Sequence, residues 1–396
     1  MDDAIELDDL DIGFVDAEDL VSGELASIDQ DWEVVMKMLP AKWEAKAVEL
    51  GAVRRLRGFA DVASLLRVLL IHLADGCSLR ETAVRASAGG LAAVSDVALL
   101  KRLRGCGAWF EWMVHEMAAQ MAMPLAAQTL LPGRRVRLVD GSSVSEPGAT
   151  GSTWRLHYAL NLHTLSCDEV HVTEANVGES LRLFGVGRGD VIMADRGFAK
   201  MPGLRWVIQH GADVVLRASM SNLPLRDRSG APLQVLPLLR TLQVGQAADW
   251  PASAHDEHGA IELRVCAYKK TAAQTLAAQR AIEQEARKKH RTVKPQTLEA
   301  AGYVIVLTTL ARPGAAEIME FYRRRWQIEL AFKRLKSLLQ LGHLKKFDKD
   351  GARAWLQGKL LVACLIEKLI LTAERFSPWG YVTADHPQAH TSLTLA

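Results

Sequence analysis

Apolar and polar positions along this chain follow two rhythms. From residue 32 to about 128 the apolar side chains recur at helical spacing. Residues 65–74 form a nearly continuous apolar helix that stops near Gly76. Ser78-Leu79-Arg80-Glu81 has the form of a capping box and opens a helix over 79–88. Gly89-Gly90 ends it, and Ser95 caps a second helix over 96–104 that carries Lys101, Arg102 and Arg104. Two short helices around a glycine-containing turn, the second basic, suit a helix-turn-helix or an ordinary helical hairpin. Trp109, Phe110, Trp112 and Met113 follow at core spacing.

From Arg134 the rhythm becomes that of strands. Residues 136–139 alternate and deliver Asp140, followed by Gly141-Ser142-Ser143. Strands over 155–163 and 169–174 complete a meander, and Gly178-Glu179-Ser180 opens a helical stretch. A buried strand over 190–194 ends in Asp195-Arg196-Gly197-Phe198. A helix to His210 and a strand over 213–218 follow. Residues 219–300 break the pattern with a turn-rich stretch, strands over 241–250 and 260–269, and a helix over 271–289 ending in a basic run. A strand over 304–308 leads to an uninterrupted helix over 321–336, and a last apolar helix covers 355–375.

Charge changes this picture at one end. Residues 1–31 hold twelve acids and no Lys or Arg, so the rest carries 48 basic against 34 acidic side chains. A basic body with an acidic tail points to a polyanion partner, with the tail competing for its groove or standing as a solvated segment without a role. Five widely spaced cysteines without a CxxC pair fit a reducing cytoplasm and core packing. An acidic N-terminus without an apolar run predicts no signal peptide, and no stretch predicts a membrane span.

Candidate chemistry gathers on helix 321–336. Tyr322, Arg325, Glu329 and Lys336 lie within roughly 60° of one another at ~100° per residue. The plainer alternative is a basic amphipathic helix with one ion pair, Glu329 to Lys333. Asp140 and Asp195 each follow a buried strand, where ligands of α/β sheets bind, or where an aspartate caps the next segment. Three converging carboxylates repel one another and need cations. An all-oxygen set suits Mg²⁺ or Mn²⁺, and two such ions about 4 Å apart serve phosphodiester chemistry. His157 and His163, on a strand pair, read as structural.

These residues resemble the DDE transposases of the insertion-sequence-four family. Tyr-x2-Arg-x3-Glu-x6-Lys fits at Tyr322, Arg325, Glu329 and Lys336 without a gap. Val139-Asp140-Gly141-Ser142-Ser143 and Ala194-Asp195-Arg196-Gly197-Phe198 look like the family's two aspartate motifs. The likeness covers about residues 33–375. It implies an α/β fold, an RNase H-like mixed-sheet core with a helical N-terminal domain and a β-rich insertion. It implies catalysis and metal binding by Asp140, Asp195 and Glu329 with two Mg²⁺, replaceable by Mn²⁺. It implies end cleavage, often through a DNA hairpin, then strand transfer by a homodimer on DNA in the bacterial cytoplasm, nucleoid-associated. DNA contacts would fall to Tyr322, Arg325, Lys336, Lys333, Arg324, Arg217 and Trp326, and in the helical domain to Lys101 and Arg102. Trp250, Tyr303 and Trp326 are the candidates to hold a flipped base.

The expected organisation is an acidic flexible tail (1–31), a helical DNA-binding domain (32–130), the first part of the core (131–218), the insertion (219–300), the second part with the catalytic helix (301–376), and a loose tail (377–396). An inactive DNA-binding regulator and an RNase H-like nuclease without strand transfer are the alternatives.

Overall fold

The computed structural model describes residues 31–121, 131–149, 151, 153–220, 223–342, 344–346 and 348–375. The acidic tail before residue 31 and the tail from 377, about which the sequence raises expectations, lie outside them.

One nine-stranded sheet organises the chain. β1 (Arg135–Val144), β2 (Trp154–Asn161) and β3 (Cys167–Glu174) form an antiparallel meander. β4 (Asp190–Ala194) runs parallel to β1, and β5 (Asp213–Arg217) parallel to β4. This five-strand order and sense is that of an RNase H-like core. β4 is buried at every position, as a central strand covered on both faces must be.

The sheet then continues through β9 (Tyr303–Thr308), antiparallel to β5, into β8 (Gly259–Lys269), β7 (Ala247–Asp256) and the short β6 (Leu225–Arg226). Residues 219–300 therefore do not build a separate sheet. Their strands use the edge of β9 that β5 leaves open. β7 also starts later than the expected 241–250, because Gly245 takes φ 80° in a turn that precedes it.

Each face of the sheet carries its own core. Val136, Leu138, Tyr158 and Met193 belong to one, together with helices of the N-terminal region and the C-terminal helix α13 (Lys349–Arg375). Val139, Ala159 and Ala194 belong to the other, beneath α7 (Met201–Gln209). In the N-terminal region residues 31–38 form α1, followed by α2 (Trp43–Glu49) and α3 (Val62–Ala74). Ser78 and Ser95 cap α4 (Leu79–Ala88) and α5 (Asp96–Gly105), accepting from Glu81 N at 3.1 Å and Ala98 N at 3.2 Å. The expected return bond from Glu81 is replaced by an ion pair to Arg85 at 2.9 Å. α5 and α6 (Gly107–Met121) pack on α13, and Arg104 holds Asp348 at 3.0 Å near the start of α13.

The helix expected over 321–336 is divided. α11 (Ala315–Arg323) closes in a tight turn, with Arg324 N bonded to Phe321 O and Arg325 N to Tyr322 O. α12 (Trp326–Lys333) resumes and loosens into a π turn at Arg334–Leu338.

Candidate active site

The register of β1 against β4 brings the two aspartates together. Val139 stands opposite Ala194, so Asp140 and Asp195 come next on adjacent parallel strands, whose spacing is about 4.8 Å. Both follow residues that face the second core and so point to the opposite side. Asp140 is not at the end of its strand, as the sequence suggests. β1 runs on to Val144 against β2, and it is β4 that stops at Ala194. The aspartates thus share the gap that opens where β4 ends. Asp195 does not cap the turn that follows it, and its buried Oδ1 has no partner among the described residues.

α12 lies over β1 and β2 on that same side. Ile328, Ala331, Phe332 and Leu335 are its buried residues and those of the π turn. Phe332 packs on Tyr158, ring centres 5.8 Å apart, and Tyr158 is the cross-strand partner of Asp140. Lys336 Nζ donates to Ser143 O on β1 at 3.0 Å. These contacts hold the helix that bears Glu329 beside the aspartates.

Arg325, in the turn between α11 and α12, joins the acids. Its guanidinium lies 3.4 Å from Asp140 Oδ2 and also pairs with Glu329. The Glu329–Lys333 pair of the plainer alternative is not made. Lys333 is exposed, and so is Arg324. Tyr322 is 6% exposed, and its hydroxyl has no partner among the described residues. Burial pushes its phenol up, and the charge on Asp195 adds to that. The Asp140 carboxyl is pushed up to about 6, mainly by burial and further by the charges of Glu179 and Asp195. The Gly141 N–H and Arg325 act the other way.

Among the described residues no three His, Cys, Asp or Glu side chains stand close enough to hold one ion. The donors are nevertheless all carboxylate oxygens, the chemistry a hard divalent cation requires. One of them, Asp195 Oδ1, is buried and unpartnered. The donor chemistry suits such an ion, but the carboxylates do not converge on one point here, where the Arg325 guanidinium neutralises Asp140 and Glu329.

A cavity of about 770 Å³ opens beside this site. Arg217, Tyr322, Arg325 and Trp326 line it, joined from the insertion by Tyr268 and Lys270. Trp326 is 52% exposed there. Of the other expected aromatics, Trp250 packs against the second core and Tyr303 belongs to it. Tyr303 faces away from the cavity, while its neighbour Val304, paired with Tyr268, faces in. Tyr268 was not singled out from the sequence. The alternation along β8, which puts it on the face opposite Ala267, was the available signal.

Lys101 and Arg102 lie on α5, outside both the carboxylate site and the cavity. Lys101 is exposed, whereas Arg102 stacks over Phe59 at 6.0 Å and reaches Arg57 O at 3.5 Å. His157 bonds Thr173 Oγ1 and His163 the Arg134 carbonyl, both structural contacts. Among the described residues no helix is long and apolar enough to cross a membrane.

The "Transposase DDE domain" family model matches residues 131–365, a span that includes Asp140, Asp195 and Glu329. The chain is 34% identical over 358 residues to the putative transposase InsL of insertion sequence element IS186A from Escherichia coli K12, covering 88% of this chain and 96% of that protein. It is 34% identical over 359 residues to the transposase of IS421 from Escherichia coli, with the same coverage. A solved piggyBac transposase synaptic complex with hairpin DNA aligns over 88% of this chain and 74% of that one. Its TM-score of 0.45 and 11% identity make it too distant a likeness to bear on any residue. With the domain model matching more than half of the chain and relatives 34% identical over 88% of it, this chain belongs to the DDE transposase family.

Proposed function

We propose that this protein binds the ends of an insertion sequence, cleaves them, and joins the freed 3′-OH ends to target DNA. The observation that carries the reading is the in-register pair Asp140 and Asp195, with the Glu329 helix seated across the same face. Asp140, Asp195 and Glu329 are the catalytic, metal-holding residues, and the ligand is a pair of Mg²⁺ ions or Mn²⁺ in their place. Such ions, when bound, neutralise the scissile phosphate and favour a deprotonated attacking oxygen.

The protein's own side chains do the rest. Arg325 moves from its carboxylate partners to a phosphate. Arg217, Arg324 and Lys333 add positive charge around the cavity and the outer face of the helix, and Lys336 fixes the helix while contacting the backbone. Tyr322 donates its unpartnered hydroxyl to a phosphate oxygen. In second-strand cleavage, the freed 3′-OH attacks a phosphodiester of the opposite strand, expels the flanking strand as a free 3′-OH, and leaves a hairpin that water then opens. A base turned out of the bent strand enters the cavity and stacks on Trp326 and Tyr268. Lys101 and neighbouring cations of the helical region bind the terminal repeat. Two protomers pair the ends, in the cytoplasm at the nucleoid.

Glu329→Ala tests the assignment. It abolishes nicking of a cognate end with Mg²⁺ and leaves end binding in EDTA intact; unchanged nicking refutes the role. A regulator would bind ends without nicking under any metal condition, and a plain nuclease would yield no joined products.

A further inference from the structure

Arg102, expected from the sequence to touch DNA, is a tether in the folded chain. Its guanidinium lies over Phe59 and reaches the Arg57 carbonyl at 3.5 Å, which holds the link between α2 and α3 against α5. Other contacts fix the same link. Phe59 forms an isolated bridge to Ala92, in the turn before α5. Gly58 takes φ 80°, and a Cβ there would collide with Val94 in that turn, so glycine permits the approach. At the far end of α5, a Cβ on Gly105 would stand 3.9 Å from the carbonyl oxygens of Gly51 and Ala52. The link so held carries Arg54, Arg55 and Arg57, and all three are exposed. Among the described residues no hydrogen bond or ion pair uses their guanidiniums.

α5 has an open face beside this link. It buries Leu99 and Leu103. On the opposite side, at ~100° per residue, Val97, Lys101 and Arg104 lie within roughly 60° of one another. Arg104 is tied to Asp348, whereas Val97 is 57% exposed and Lys101 is exposed as well. Arg102 and Gly105 fall on one flank of that face, so the arginine link borders it. The one acid of α5, Asp96, is turned to the Val97 N–H at 2.8 Å. The face therefore shows an apolar side chain in the first turn, a lysine one turn later, and a row of free cations alongside.

That combination fits duplex DNA. A major groove about 12 Å wide admits a helix, and the helix end that enters it reads bases with its N-terminal residues. A valine neither donates nor accepts a hydrogen bond, so the base feature it can recognise is the C5-methyl group of thymine. The turn at residues 89–95 is longer than the 3–4-residue turn of the common helix-turn-helix. Here the arginine link packs on that turn and steadies the start of α5.

We propose that α5 reads the terminal repeat from the major groove, with Val97 against a thymine methyl and Lys101 beside it, while Arg54, Arg55 and Arg57 hold the adjoining phosphates. This rests on the reading that the protein binds the ends of an insertion sequence, and it assigns the surface and the base feature.

The experiment is fluorescence anisotropy of the full-length protein in EDTA, on a labelled cognate end and on a scrambled duplex, over about 50–200 mM salt. Arg54→Ala, Arg55→Ala and Arg57→Ala should each lower the log–log salt slope by about 0.9 and weaken both duplexes alike. Arg228→Ala, an exposed cation of the insertion, should leave the slope unchanged. Val97→Ala should weaken only the cognate end, at an unaltered slope. Replacing thymines by uracil one at a time should cost the parent about fourfold at one position, the value of one buried methyl group. Val97→Ala should not respond at that position. Urea midpoints matching the parent's show that the variants are folded. If the slope falls but no uracil position separates Val97→Ala from the parent, the base reading is refuted and the phosphate grip stands. If the parent prefers its end and neither set of variants alters binding, or Arg228→Ala lowers the slope as much, the surface is misassigned while end binding stands. If the parent does not prefer its end, the end-binding reading fails and takes this proposal with it.

Discussion

Phe332 is the side chain on which the placement of Glu329 depends most directly. It is 8% exposed, and its ring meets Tyr158, the residue across the strand pair from Asp140. Phe332→Ala removes a buried ring, at a cost of about 3–5 kcal/mol. Of this, about 0.5–1.5 kcal/mol belongs to the ring pair itself. Ile328, Ala331 and Leu335 still bury the rest of that helix face, so the loss falls on the seating of α12 more than on the fold. Domains are stable by about 5–15 kcal/mol, so the variant remains folded but lowered. A catalytic group displaced by about 1 Å loses on the order of 100-fold in rate. The expected result is therefore a roughly 100-fold slower single-turnover nicking of a labelled end, with end binding retained. Phe332→Leu keeps much of the apolar contact, costs less than Phe332→Ala, and should nick much closer to the parent. Urea unfolding followed by circular dichroism measures the stability term separately. A folded Phe332→Ala protein that nicks at the parent's rate refutes the claim that this ring positions Glu329.

Arg325→Ala leaves Asp140 and Glu329 without their guanidinium; losing charged hydrogen bonds of this kind costs about 1.5–3 kcal/mol. The metal-free protein should unfold earlier in urea, and added Mn²⁺ should recover more stability in this variant than in the parent. Trp326→Ala and Tyr268→Ala should slow hairpin formation by removing a stacking surface worth about 1–3 kcal/mol per base, while leaving first-strand nicking near normal; equal loss of both steps on a sequencing gel argues against a base pocket. His72 gives a pH test. It is 3% exposed, and burial together with Lys346 holds its imidazole down at about 4 against an ordinary 6.5. The unfolded chain takes up that proton first, so its stability contribution is complete above pH 6.5 and is lost as pH falls toward 4, by about 3 kcal/mol in all. His72→Gln, which can still donate to the Cys77 carbonyl, should flatten that part of the profile in urea titrations from pH 7.5 to 4.5.

What could be read from the chain, and what could not, divides along a physical line. Asp140 and Asp195 were legible because each follows a buried apolar run, a local pattern. That they stand side by side depends on the β1–β4 register, which no local pattern states. The break after Arg323 carries no Gly or Pro signal; it arises where α11 packs on β7 and β8 while α12 packs on β1 and β2. The break also decides the ion pair. It brings Arg325 in beside Asp140, so Glu329 turns toward it and away from Lys333. Helical spacing alone favours the Glu329–Lys333 order, so the pair that forms is set by tertiary packing. The same reasoning separates Tyr268 from Tyr303, since cross-strand pairing determines which residue of each neighbouring pair faces the cavity. Glu179 marks the limit of such reading. It sits in a link with no periodicity, and only the space kept open by two distant glycines reveals its position. An aspartate motif ending in glycine can be read in sequence as a turn. In the folded chain Gly141 and Gly197 make room for a carboxylate that comes from neither motif.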